Sequence, residues 1–189
     1  MIGGTGSWDV YGNAGDDVLS TKMPGSLYGG TGDDQLTLDN LQPYDGGLSV
    51  VDGGDGDDRI VLNQLLADYS TDMPDPTLTG GEGKDECNMN LYAYAGEDDS
   101  DEGVFAIISE FVPGEDTLNV KLAGGEGNGC RMYLDDVSVT EHDYERDGET
   151  MYYFKVNFSF LNVETNAIVS GALAIEGQTG ITVDDVVLL

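Results

Sequence analysis

Four stretches of this chain align without a gap: GNAGDDVLS at 12–20, GGTGDDQLT at 29–37, GGDGDDRIV at 53–61 and GGEGKDECN at 80–88. Each reads Gly, usually Gly, any residue, Gly, any residue, Asp, any residue, then an apolar residue. A further copy, GGTGSWDVY at 3–11, has Trp8 where the aspartate belongs. Two positions before the four copies stand Val10, Leu27, Val51 and Leu78. The unit is a tight glycine turn with a minimal strand on either side. Such a unit is too small to bury a face alone and gains a core only by stacking on its neighbours.

The spacing also carries chemistry. Glycines permit positive φ and close approach of successive chains, so a turn of this shape aims several carbonyl oxygens toward one point. The aspartate adds a carboxylate, and the apolar residue two places on faces inward. An oxygen-only donor set suits a large, hard cation, Ca²⁺ rather than Zn²⁺. One turn supplies half a coordination shell, so the next turn must supply the rest.

These motifs resemble the hemolysin-type nonapeptide repeat, the RTX repeat of type I-secreted bacterial proteins. The resemblance implies an all-β fold, a right-handed parallel β-roll (a β-solenoid), with Ca²⁺ held between successive turns. Carried over by position, the aspartate ligands are Asp17, Asp34, Asp58 and Asp85. The carbonyl donors come from Gly12, Asn13 and Gly15 in the first turn and Gly29, Gly30 and Gly32 in the second. The later turns supply Gly53, Gly54 and Gly56, then Gly80, Gly81 and Gly83. The segment Ile107-Ile108-Ser109-Glu110-Phe111-Val112-Pro113-Gly114-Glu115-Asp116, with Leu118 and Val120 after it, is similar to the stretch that follows the last repeat in that family. The end, Asp184-Asp185-Val186-Val187-Leu188-Leu189, is similar to the acidic-then-apolar tail of uncleaved type I secretion signals.

The copies begin at 12, 29, 53 and 80, whereas family repeats follow one another every nine residues. Stacking on one side of the roll is therefore expected, with loops or worn copies, such as the YDGG stretch at 44–47, opposite. Gaps between four turns allow about three Ca²⁺ ions or more. Residues 3–11 read as a repeat already in progress, as though the chain began inside a longer parent.

Charge narrows the function classes. Thirty-seven Asp and Glu against seven Lys and Arg leave a formal charge of −30. That balance excludes nucleic acid as partner, since binding a polyphosphate relies on Lys and Arg displacing counterions. It equally disfavours an anionic membrane surface, and no apolar run reaches the 18 or so residues of a spanning helix.

Twenty-four of the 28 glycines lie in residues 1–130. After them the pattern turns strand-like, with Phe154, Val156, Phe158 and Phe160 interleaved with Lys155, Asn157 and Ser159. The expected organisation is a roll with its flanking segment over 1–120 and a β-rich C-terminal cap over 121–189. Val61–Tyr69 (VLNQLLADY) reads as a short helix or an excursion. Asp98 sits in a stretch that mimics a repeat without its first glycines.

Other chemistries fall away. Two EF-hand-like spacings, from Asp98 and from Asp143, end on Ser109 and Phe154 instead of the bidentate Glu. His142 is the only histidine, too few for a zincin motif, and reads as a surface residue. Cys87 fills the apolar slot of the last repeat, and pairing with Cys130 is an open alternative to two separate thiols. The Met151-Tyr152-Tyr153 patch reads as cap core, with saccharide binding as the alternative.

The function expected is Ca²⁺ binding by a secreted, extracellular module that folds on meeting the ion. Its partners would be calcium ions and the type I secretion machinery. No catalytic residues are assigned. An adhesin or glycan-binding module, or the C-terminal fragment of a larger secreted enzyme or toxin, is the alternative.

Overall fold

The computed structural model describes residues 8–22, 24–40, 48–66, 75–93, 104–122, 132–146, 149–162, 168–176 and 181–188. The YDGG stretch, Asp98 and Cys130 lie outside them.

Each glycine turn joins two short strands, as its composition requires. The pairs are β1 (Trp8–Ala14) and β2 (Val18–Lys22), β3 (Gly25–Thr31) and β4 (Gln35–Asn40), β5 (Val50–Asp55) and β6 (Arg59–Leu66), and β7 (Thr77–Glu82) and β8 (Glu86–Ala93). A fifth pair, β9 (Val104–Ser109) and β10 (Thr117–Leu122), repeats the arrangement without the double glycine. Then come a long hairpin of β11 (Met132–Arg146) and β12 (Glu149–Asn162), the strand β13 (Ile168–Glu176), a 3₁₀ turn (Val183–Asp185) and β14 (Val186–Leu188).

Odd and even strands separate into two sheets. One runs β1-β3-β5-β7-β9-β13-β12-β11, the other β14-β10-β8-β6-β4-β2. All pairings are parallel except those of β12 with β11 and β13. This is a parallel two-sheet β-roll. Its C-terminal strands belong to the same two sheets: β13 pairs with β9 and β14 with β10.

Stacking converts the apolar positions into columns. Val10, Leu27, Val51, Leu78 and Ile108 are successive register partners in one sheet. Leu19, Leu36, Ile60, Cys87, Leu118 and Val186 form the facing column in the other. From Leu27 and Leu36 onward these residues are buried, while Val10 and Leu19 at the N-terminal end are only partly covered. A second column, Leu38, Leu62, Met89 and Val120, widens the core.

Val61–Tyr69, expected as a short helix or an excursion, is strand over its described part, because residues up to Leu66 belong to β6. Gln64 takes an inward position with no exposure, where alternation calls for an apolar residue. In the cap the alternation holds: Phe154, Val156 and Phe158 are buried. Tyr152 lies on that face but is exposed, while Met151 and Tyr153 alternate to the other, so the three form no single patch.

Candidate metal centre

The four glycine turns lie along one edge of the roll, in register. Asn13, Gly30, Gly54 and Gly81 are successive partners, as are Ala14, Thr31, Asp55 and Glu82. The 17-, 24- and 27-residue steps are therefore absorbed elsewhere, and all sixteen expected metal-site residues are gathered on this edge.

Backbone conformation explains the residue choice. Gly30, Gly54 and Gly81 have φ of 115°, 104° and 107°, and Asn13 stands in their column at 79°. Asparagine is among the few side chains that tolerate the left-handed region. At Gly54 a Cβ would also strike the carbonyl oxygen of Gly30, and at Gly81 that of Gly54.

The repeat aspartates form a ladder. Oδ1 of Asp34 accepts the backbone N–H of Asp17 at 2.7 Å, Oδ1 of Asp58 that of Asp34 at 2.7 Å, and Oδ1 of Asp85 that of Asp58 at 2.9 Å. These three side chains are almost fully buried, at 1, 2 and 3% exposure. Their Oδ2 atoms have no hydrogen-bond partner. A buried acceptor left unpaired costs about 1–3 kcal/mol and a charged one more, so three at the same repeat position mark a donor set awaiting a counterpart.

The ladder ends at Asp116. Its Oδ1 accepts the N–H of Asp85 at 3.0 Å and its Oδ2 that of Val112 at 2.7 Å, so both oxygens are engaged. Asp116 stands outside the sixteen residues that the repeat pattern marks. The signal was the half-repeat Gly114-Glu115-Asp116-Thr117-Leu118, which matches Gly32-Asp33-Asp34-Gln35-Leu36 in type.

Two of these free oxygens, those of Asp34 and Asp58, lie beside a carbonyl from the next coil. At Gly29, the space a Cβ would fill is flanked by Asp34 Oδ2 and the Gly53 carbonyl oxygen. At Gly53 the flanking atoms are Asp58 Oδ2 and the Gly80 carbonyl, and at Gly12 they are Asp17 Oδ2 and the Gly29 carbonyl. At Gly80 the three nearest atoms all belong to Asp85. Three carboxylate–carbonyl pairs therefore stand between four coils.

Other carbonyls of the turns are already used. Thr31, Asp55 and Glu82 accept from Gly15, Gly32 and Gly56 at 2.7, 2.8 and 2.8 Å. A second ladder, of opposite direction, lies outside the first: Asp16 Oδ1 accepts from Asp33 N–H, Asp33 from Asp57, and Asp57 from Lys84.

The electrostatics follow from burial. Desolvation first, then the neighbouring carboxylates of Asp85, Asp34 and Asp33, pushes Asp58 up to about 6, against a hydrogen bond from Asp34 that acts the other way. Asp85 is raised by burial and by Asp116 and Asp57. Cys87, just beyond, is a free and buried thiol pushed up to about 12 by desolvation and the acids around it.

The edge offers a cation oxygen atoms of two kinds, carboxylate and carbonyl. Among the described residues no three His, Cys, Asp or Glu side chains gather closely enough to hold a metal. An ion here would take carboxylate oxygens together with backbone carbonyls, the mixed all-oxygen set that suits Ca²⁺. The orphaned Oδ2 atoms and the carbonyls of Gly53 and Gly80 are oxygens of these two kinds, close together where glycine leaves out a Cβ.

No protein-family model matches the chain, and no curated protein does. Among solved structures, the solution structure of the AlgE6R3 subunit from the Azotobacter vinelandii mannuronan C5-epimerase is similar. It is 22% identical over 93% of this chain and 80% of that one, with a TM-score of 0.36. The fold assignment rests on the strand pairing itself. Among the described residues no helix is long and apolar enough to cross a membrane.

Proposed function

We propose that this chain is a calcium-binding β-roll of the RTX type whose folding is coupled to the ion, exported by a type I route and working outside the cell. The observation that carries the reading is the row of buried, unpartnered Oδ2 atoms at Asp34, Asp58 and Asp85. Asp17, Asp34, Asp58 and Asp85, with carbonyls of the glycine turns, hold about three ions between the coils. Ca²⁺ supplies the positive charge that these oxygens lack.

Folding and binding are then one event. With little free Ca²⁺ the buried carboxylates oppose burial, and the chain stays open enough to pass a narrow channel. In about 10 mM Ca²⁺, a site of roughly 0.1 mM affinity contributes about 2.7 kcal/mol. Three such sites contribute roughly 8 kcal/mol, comparable to a domain's whole stability. An export signal in Asp184–Leu189 would be read before β14 joins its sheet. Catalysis is assigned to no residue of this chain.

Circular dichroism during a Ca²⁺ titration of chelator-treated protein tests the reading. The expected result is a cooperative gain of β signal that chelator reverses. A spectrum indifferent to both additions would overturn it.

A further inference from the structure

The sheet face formed by β11, β12 and β13 carries a groove of about 380 Å³ that the metal edge does not involve. That volume lies within the usual range of ligand sites, about 300–1,000 Å³. Register sets its lining in rows across the strands: Asp136 with Ser159 and Ser170, Ser138 with Asn157 and Ala172, Thr140 with Lys155 and Ala174. Rows two residues apart lie roughly 7 Å apart along a strand. On the β13 side Ser170 and Gly171 line it, while further hydroxyls and an amide come from β11 and β12. The next row is His142 with Tyr153 and Glu176, and in it the His142 and Tyr153 rings stack with centres 5.0 Å apart. Thr140 Oγ1 lies 3.0 Å from His142 Nε2.

Charge selects the occupant. In a chain of net charge −30 this face is close to balance, with Asp136 and Glu176 against Lys155. Strand alternation sends Glu141 and Asp143 of β11 to the other face. A polyanion is repelled by the chain as a whole, and a polycation finds a stronger field at Asp16, Asp33 and Asp57. The hydroxyl and amide groups between these charges instead match a ligand whose own polar groups are hydroxyls.

We infer that this groove binds an uncharged polysaccharide laid along the strands, with Ser138, Thr140, Asn157 and Ser159 bonding its hydroxyls. The site is independent of the ion column except that both need the folded roll.

Affinity electrophoresis of the full chain in saturating Ca²⁺, through gels holding dextran, galactomannan, xylan or polygalacturonate, tests it. Retardation by at least one neutral polysaccharide is expected, weakened at least tenfold by Ser138→Arg with Thr140→Arg, both exposed positions. Soluble oligosaccharide of the same polymer should release the unaltered protein, a measurement that survives if the double variant fails to fold. No retardation in any neutral gel, retardation by polygalacturonate alone, or unchanged retention by a folded double variant would each overturn the assignment.

Discussion

The backbone N–H of Asp34 donates to Oδ1 of Asp58, 24 residues later, at 2.7 Å, while Oδ2 of the same Asp58 carboxylate has no partner. One carboxylate thus has two separable duties. One oxygen fixes the spacing of adjacent coils, and the other is kept for an ion.

Substitution separates these duties. Asp58→Asn retains an acceptor for the Asp34 N–H but loses the charge, so the Ca²⁺ midpoint for folding should rise roughly tenfold with cooperativity kept. Asp58→Ala also strands the Asp34 N–H, adding about 1–3 kcal/mol. A calcium titration followed by circular dichroism should rank wild type, Asn and Ala in that order; equal midpoints would refute the ligand role.

Asp116 should behave differently, because both its oxygens accept backbone N–H groups. Asp116→Asn is expected to leave the Ca²⁺ stoichiometry unchanged and to lower stability at saturating Ca²⁺ by about 1–2 kcal/mol. Isothermal titration calorimetry and urea unfolding give the two readouts.

Glycines of the same turns should differ in tolerance. Gly15 has φ of 99° with nothing within 4 Å of an added Cβ, so Gly15→Ala should cost only the left-handed backbone penalty, about 1–2 kcal/mol. Gly54→Ala adds a collision with the Gly30 carbonyl and should abolish calcium-induced folding under the same conditions. Comparable urea midpoints for the two variants would contradict this geometry.

Acid should partly replace the ion. Asp58 sits at about 6 in the folded, metal-free roll against an ordinary value near 3.8. Between those values the folded state binds more protons than the unfolded one, so metal-free stability falls as pH rises from about 4 through 6. Metal-free protein should therefore carry more β signal at pH 5 than at pH 7.5. The Ca²⁺ concentration needed for binding should rise over the same descent in pH.

Cys87 offers a probe of coil closure. In a Cys130→Ser background its thiol, buried and pushed up to about 12, should resist aromatic disulfide reagents in Ca²⁺ and react within minutes in chelator. Equal rates in both would mean that the core does not depend on the ion.

Much of this fold is legible in the sequence because stacking repeats one environment. Val10, Leu27, Val51 and Leu78 stand at a fixed offset from their turns, and that offset becomes a column. Asp17, Asp34, Asp58 and Asp85 reach one edge for the same reason. Legibility fails where a position keeps its place but changes its chemistry. Phe111-Val112 replaces the double glycine before Asp116, hiding the fifth coil. Gln64 breaks the alternation of β6 by facing inward, which makes its segment read as helical.

The ladder bonds between Asp17, Asp34, Asp58, Asp85 and Asp116 span 17, 24, 27 and 31 residues, yet their lengths stay between 2.7 and 3.0 Å. The length of each excursion is thus uncoupled from the geometry of the turn. Lengthening a flexible connection costs only about 0.6 kcal/mol per doubling. One margin of the roll is held to fixed dimensions while the other tolerates insertions, so new sequence can accumulate there, by evolution or by engineering, without disturbing the ion column.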